Sequence, residues 1–163
     1  MIILVLGGTR SGKSELAERL VARDGLPITY VATGKAVDDE MVERIATHRA
    51  RRPARWATVE TTDDLAGAVA ALEGSVLVDS LGTWLARLEG FRGDFAALAA
   101  TLAARPGLTV VVSDEVGLGV HPSSAVGREF RDALGQLNRT VADQADEVLL
   151  VVAGRVLRLD ESV

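Results

Sequence analysis

The chain has 163 residues, 48% of them hydrophobic, which is enough for one compact domain with a full core and too few for two. A formal net charge of −5 and an aromatic content of 4% exclude a general nucleic-acid binder and a membrane-surface protein, so any anion site has to be local. Cysteine is absent, which removes disulfide and thiol chemistry and suits a cytosolic protein.

In chain order, residues 2–6 (Ile-Ile-Leu-Val-Leu) form an apolar run of strand type that starts at the N-terminus and leaves no room for a signal peptide. They lead into Gly7-Gly8-Thr9-Arg10-Ser11-Gly12-Lys13-Ser14, which satisfies G-x-x-x-x-G-K-[ST] at each required position. Glycines let such a loop fold tightly enough to aim several N–H groups at one polyphosphate, at the positive end of the helix that follows. In this pattern Lys13 reaches the β- and γ-phosphates and the Ser14 hydroxyl ligates Mg²⁺. Lys13 and Lys35 are the only lysines among 18 basic residues, so a lysine at the obligatory position is not background. Leu16, Ala17, Leu20 and Val21 keep helical spacing after the loop.

Further strand-type runs fall at residues 28–32, 76–79, 109–113, 148–152 and 156–159, with Glu60 closing another short run after Thr58-Val59. Strands alternating with helical stretches predict an α/β layer fold with a mainly parallel sheet. The near-continuous Val and Leu of these runs predicts cover on both faces. Only Ala153-Gly154-Arg155 separates the last two, which predicts a hairpin and one antiparallel edge strand. Residues 95–104 read as a core helix, too short to span a bilayer, and residues 89–93 as an exposed turn. The longest helix is predicted to begin at Ser123 or Ser124 as cap, with Val126, Phe130, Leu134, Leu137 and Val141 forming its core stripe. His121, beside Pro122, reads as a loop residue.

Residues 38–52 are predicted to be a helix, acidic in its first turn, basic in its second half and stopped by Pro53. Arg44, Arg49, Arg51, Arg52 and Arg55 have no acid among them. Met41, Ile45 and His48 share one stripe, so His48 is either a packed side chain or a reactive one. Surrounding cations favour its neutral form, the form able to attack phosphorus, and guanidinium groups suit a triphosphate. Asp79 ends an apolar strand, as expected of a residue holding a Mg²⁺-bound water; Asp114-Glu115 ends another strand in the same form and is its rival.

Together these segments resemble the bifunctional adenosylcobinamide kinase/adenosylcobinamide-phosphate guanylyltransferase family of cobalamin biosynthesis. Besides residues 7–14, the resemblance rests on Tyr30-Val31-Ala32-Thr33, Asp38-Asp39-Glu40-Met41, Arg44-Ile45 through His48 to Arg52-Pro53 and Trp56, and residues 76–79 before Trp84-Leu85. It continues in Glu115-Val116-Gly117-Leu118-Gly119, Phe130-Arg131-Asp132, Ala145-Asp146-Glu147-Val148 and Val151-Val152-Ala153-Gly154. The resemblance implies a P-loop NTPase with a RecA-like sheet and helices on both faces, a cytoplasmic homotrimer, and two reactions at one nucleotide site. The first phosphorylates the aminopropanol hydroxyl of adenosylcobinamide with GTP or ATP. In the second a histidine, here His48, takes GMP from GTP and passes it to the corrinoid phosphate. The implied nucleotide contacts are residues 7–14, Ala32, Thr33, Gly34, Arg49, Ala50, Arg51, Arg52, Glu60 and Asp79, with Ser14 and Asp79 at Mg²⁺ and Lys13 and His48 in catalysis. Glu60 suits the guanine N1–H and 2-amino group. The chain departs from the pattern at Thr47, where some members carry a second histidine, at Asp114 in place of asparagine, and at Leu118 in place of tryptophan; the segment after Trp84 is short. The alternative is a simple phosphate-loop kinase of a small metabolite or nucleotide, which forms no covalent bond between protein and nucleoside monophosphate.

Overall fold

The computed structural model describes residues 1–34 and 53–159. The predicted arginine-rich helix, with His48, Arg49, Ala50, Arg51 and Arg52, lies outside the described residues. Among the described residues seven strands make one sheet: β1 (Ile2–Gly7), β2 (Ile28–Ala32), β3 (Ala57–Glu60), β4 (Ser75–Asp79), β5 (Thr109–Asp114), β6 (Glu147–Val152) and β7 (Arg155–Leu159). Their order across the sheet is β3-β2-β4-β5-β1-β6-β7. Every neighbouring pair is parallel except β6 with β7.

Alternation along β1 divides the core. Ile3 and Val5 face α1 (Lys13–Val21), which buries Leu16, Ala17 and Val21 against Tyr30, Leu77, Val110, Val112 and Val151. Ile2 and Leu4 face the other layer, built from α2 (Leu65–Ala70), α3 (Leu81–Leu85), α4 (Phe95–Ala104) and α5 (Ala125–Ala142). Helices thus cover both faces of a mainly parallel sheet, as expected. Central strands carry the continuous Val and Leu runs because neither of their faces meets water.

Two expectations need correction. Cover on both faces fails at the β7 edge of the sheet, where all five positions are exposed. Edge strands have a neighbour on one side only, and Arg158 of β7, bonded to Glu147 at 3.0 Å, is the kind of charge that blunts an edge. The core stripe of α5 also starts late. Leu134, Leu137 and Val141 are fully buried and Phe130 packs edge-on against Phe91, but Val126 is 62% exposed. Packing of this helix begins one turn beyond its Ser124 cap, whose side chain accepts the Gly127 amide at 3.1 Å. The 89–93 turn is present as a 3₁₀ turn over Glu89–Phe91. His121 is an exposed loop residue, as expected, with Nδ1 2.7 Å from Arg131 Nη1.

Candidate nucleotide site

Because β1 to β6 run the same way, their carboxyl ends share one edge of the sheet, the edge at which α/β sheets bind ligands. Gly7 ends β1 beside Asp114 of β5 and Val151 of β6. A Cβ at Gly7 would come within 2.7 Å of the Val151 carbonyl and 2.5 Å of Ser11 Oγ, so the first glycine permits a close backbone approach. Gly12 caps α1 with φ 96°, which a residue bearing a Cβ adopts only under strain. Between them Gly8, Thr9 and Arg10 are exposed, whereas Ser11 is buried and its Oγ has no hydrogen-bond partner among the described residues.

Lys13 is buried at the start of α1. Its ammonium turns back over the loop and donates to the Gly8 carbonyl at 3.1 Å. It also makes an ion pair with Asp114 Oδ1 at 2.8 Å. Of the two rival strand-end acids, Asp114 is therefore the partner of the loop lysine. Asp79 accepts the Tyr30 hydroxyl at 3.2 Å. Ser14 is half-buried in the first turn of α1. Ser14, Asp79 and Asp114 offer only oxygen donors, which suits a hard cation such as Mg²⁺ that keeps several waters and shares phosphate oxygens. Among the described residues no group of three or more His, Cys, Asp or Glu is arranged to hold a metal by itself.

The second set of expected contacts forms one row. Ala32 pairs with Glu60 on one side and Asp79 on the other. Thr33, fully buried, follows: its amide donates to the Asp79 carbonyl at 3.4 Å, and its Oγ1 accepts the Ser80 amide at 2.7 Å and lies 2.5 Å from Thr83 Oγ1. Gly34 is half-buried and Glu60 exposed.

Two supports for the site escaped the sequence reading. Arg87 Nη1 donates to the Thr33 carbonyl at 3.2 Å and the Thr61 carbonyl at 2.7 Å, tying together the chain just after β2 and just after β3. A single arginine in Leu-Ala-Arg-Leu carries no local signal for that role. In the β6–β7 hairpin, the Gly154 amide donates to the Ser11 carbonyl at 2.9 Å and so braces the phosphate loop. The hairpin itself was readable from its spacing, and its turn has positive φ at both Ala153 and Gly154.

A family model described as cobinamide kinase / cobinamide phosphate guanyltransferase matches residues 3–159. The chain belongs to this cobinamide kinase/guanyltransferase family. Among relatives, it is 44% identical over 160 residues to the bifunctional adenosylcobalamin biosynthesis protein CobP of Pseudomonas aeruginosa, covering 93% of this chain and 92% of that one. It is 38% identical over 176 residues to the bifunctional adenosylcobalamin biosynthesis protein CobU of Salmonella typhimurium, covering 94% and 97%. A solved protein of Pyrococcus horikoshii, 9% identical, superposes with a TM-score of 0.55 over 96% of this chain and 84% of its own, which bears on the fold alone. The RadB recombinase matches with a TM-score of 0.49 and 17% identity over 91% of this chain and 73% of its own. Cobinamide kinase/guanyltransferase membership makes this chain a kinase and guanylyltransferase of cobalamin biosynthesis. None of the described helices is long and apolar enough to cross a membrane.

Proposed function

We propose that one cytoplasmic domain spanning residues 1–163 phosphorylates adenosylcobinamide with GTP or ATP, then moves GMP from GTP to the resulting phosphate through a covalent bond to His48. The carrying observation is the phosphate loop with a buried lysine folded back over it, inside a chain that matches the family model over residues 3–159.

In the kinase step residues 7–14 hold the polyphosphate and Lys13 neutralises charge as the γ-phosphoryl group passes to the corrinoid hydroxyl. Ser14 and Asp79 would hold Mg²⁺, which supplies positive charge between the phosphates when bound. In the second step the neutral imidazole of His48 attacks the α-phosphorus of GTP; a P–N bond forms and pyrophosphate leaves. The corrinoid phosphate then attacks the same phosphorus, the P–N bond breaks, and adenosylcobinamide-GDP is released. Splitting the transfer means each displacement needs only one bulky polyanion bound. Ala32, Thr33, Gly34, Glu60, Arg49, Ala50, Arg51 and Arg52 line the nucleotide in this reading, and the row formed by Ala32, Glu60 and Asp79 supports it. The assembly proposed is a homotrimer, checked by measuring its mass in solution.

The test uses GTP labelled at the α-phosphate with Mg²⁺. The protein becomes labelled through an acid-labile, base-stable bond; His48→Ala abolishes the label and His121→Ala keeps it. Label retained in His48→Ala refutes the assignment of the covalent bond to His48, and a wild type that takes up no label refutes the covalent mechanism and favours a simple kinase.

A further inference from the structure

We propose that Asp114 makes nucleotide binding depend on a divalent cation: it admits the metal-bound nucleotide and repels the metal-free one. This rests on the reading of residues 7–14 as the polyphosphate cradle.

The Lys13 ammonium holds Asp114 Oδ1 at 2.8 Å and the Gly8 carbonyl at 3.1 Å. Of its three N–H donors one is left for a phosphate. A phosphate oxygen taken up by that donor lies within about 6 Å of the Asp114 carboxylate, from hydrogen-bond lengths alone.

The carboxylate has little room to retreat. Its other oxygen, Oδ2, occupies space left by the absent side chain of Gly82: a Cβ there would lie 2.6 Å away. Its backbone is fixed too, since Gly7 of β1 pairs with Asp114 and the Asp114 carbonyl accepts Asn138 Nδ2 at 3.0 Å. With the Lys13 side chain 8% and the Asp114 side chain 32% exposed, water screens the pair only partly.

A bare polyphosphate brought to Lys13 therefore meets a cation whose charge is offset by the fixed Asp114 anion beside it. At about 6 Å and an effective dielectric near 20, removing that anion is worth more than about tenfold in affinity for each unit of phosphate charge facing it. Toward a metal-bound nucleotide the same carboxylate would face a cation, whose charge it would attract instead of repelling bare phosphate. Asp114 is then a selector of the metal-bound form, distinct from Asp79, which engages Tyr30.

The experiment measures the Kd of the full chain for GTP by titration calorimetry, with excess Mg²⁺ and with EDTA, for wild type, Asp114→Asn and Asp114→Ser. The Asn variant is isosteric, and thermal melts confirm that both variants are folded. In wild type, EDTA weakens binding by about a hundredfold or more; in both variants the loss falls below about tenfold, because metal-free GTP binds at least about tenfold more tightly than to wild type. Equal changes in both conditions, as a merely structural role would give, overturn the proposal. So does weaker metal-free binding in the variants. Wild type that binds no GTP in either condition overturns the nucleotide reading itself, a result distinct from the other two.

Discussion

At the scale of single residues, Lys13 is the side chain on which both proposed reactions converge. It is 6% exposed, and its resting contacts are one carbonyl and one carboxylate, so the loop keeps its cation ordered before any nucleotide arrives. Lys13→Ala is expected to weaken GTP binding and to slow both phosphorylation and guanylylation by at least about a hundredfold. Steady-state assay of each half-reaction checks this; unchanged kinase turnover refutes the assignment. Lys13→Arg should not restore activity, since a planar fork cannot occupy the place of a compact ammonium folded over the Gly8 carbonyl. The place of Lys13 over the loop was legible in the sequence because residues 7–14 are joined by contacts a few positions apart. Its partner was not, since Asp114 is 101 positions away and becomes its neighbour only through the pairing of β5 with β1. Arg87 was invisible for the same reason: its partners Thr33 and Thr61 come from different loops.

At the scale of elements, periodicity found where strands and helices lie but not how far each is covered. The runs that became β1, β4 and β5 are buried as their Val and Leu content foretold, whereas β7, with a similar run, sits at an edge. Spatial order decides that, and the insertion of β5 between β1 and β4 leaves no trace in local composition. Helix α5 makes the distinction measurable. Val126 and Leu134 both belong to the predicted stripe, yet one is 62% exposed and the other 0%. Leu134→Ala should therefore cost about 2–5 kcal/mol through lost transfer energy and a cavity, and Val126→Ala less than about 0.5 kcal/mol. Urea unfolding of the two variants checks this, and comparable losses would mean that the first turn of α5 is packed in solution.

At the scale of the whole molecule, the two edges of the parallel sheet do different work. The carboxyl edge carries the glycine loop, Lys13 and the acids. The amino edge is closed by Arg105, 6% exposed, which donates to the carbonyls of Val69 (2.9 Å), Leu72 (2.8 Å) and Gly74 (3.3 Å) and to Thr109 Oγ1 (2.8 Å). Those bonds join the end of α2, the entry to β4 and the start of β5. Burial lowers the pKa of this guanidinium from its ordinary value, so its charge costs solvation that the four acceptors have to offset. Arg105→Ala strands those acceptors in a buried place, with an expected loss of about 2–4 kcal/mol. For a chain of this length that is a fall in Tm of roughly 5–15 °C, readable by calorimetry. GTP affinity measured well below the new Tm should stay at the wild-type value, because Arg105 lies at the opposite ends of the strands from the phosphate loop. A variant that kept its Tm but lost GTP affinity would couple the two edges and refute this division.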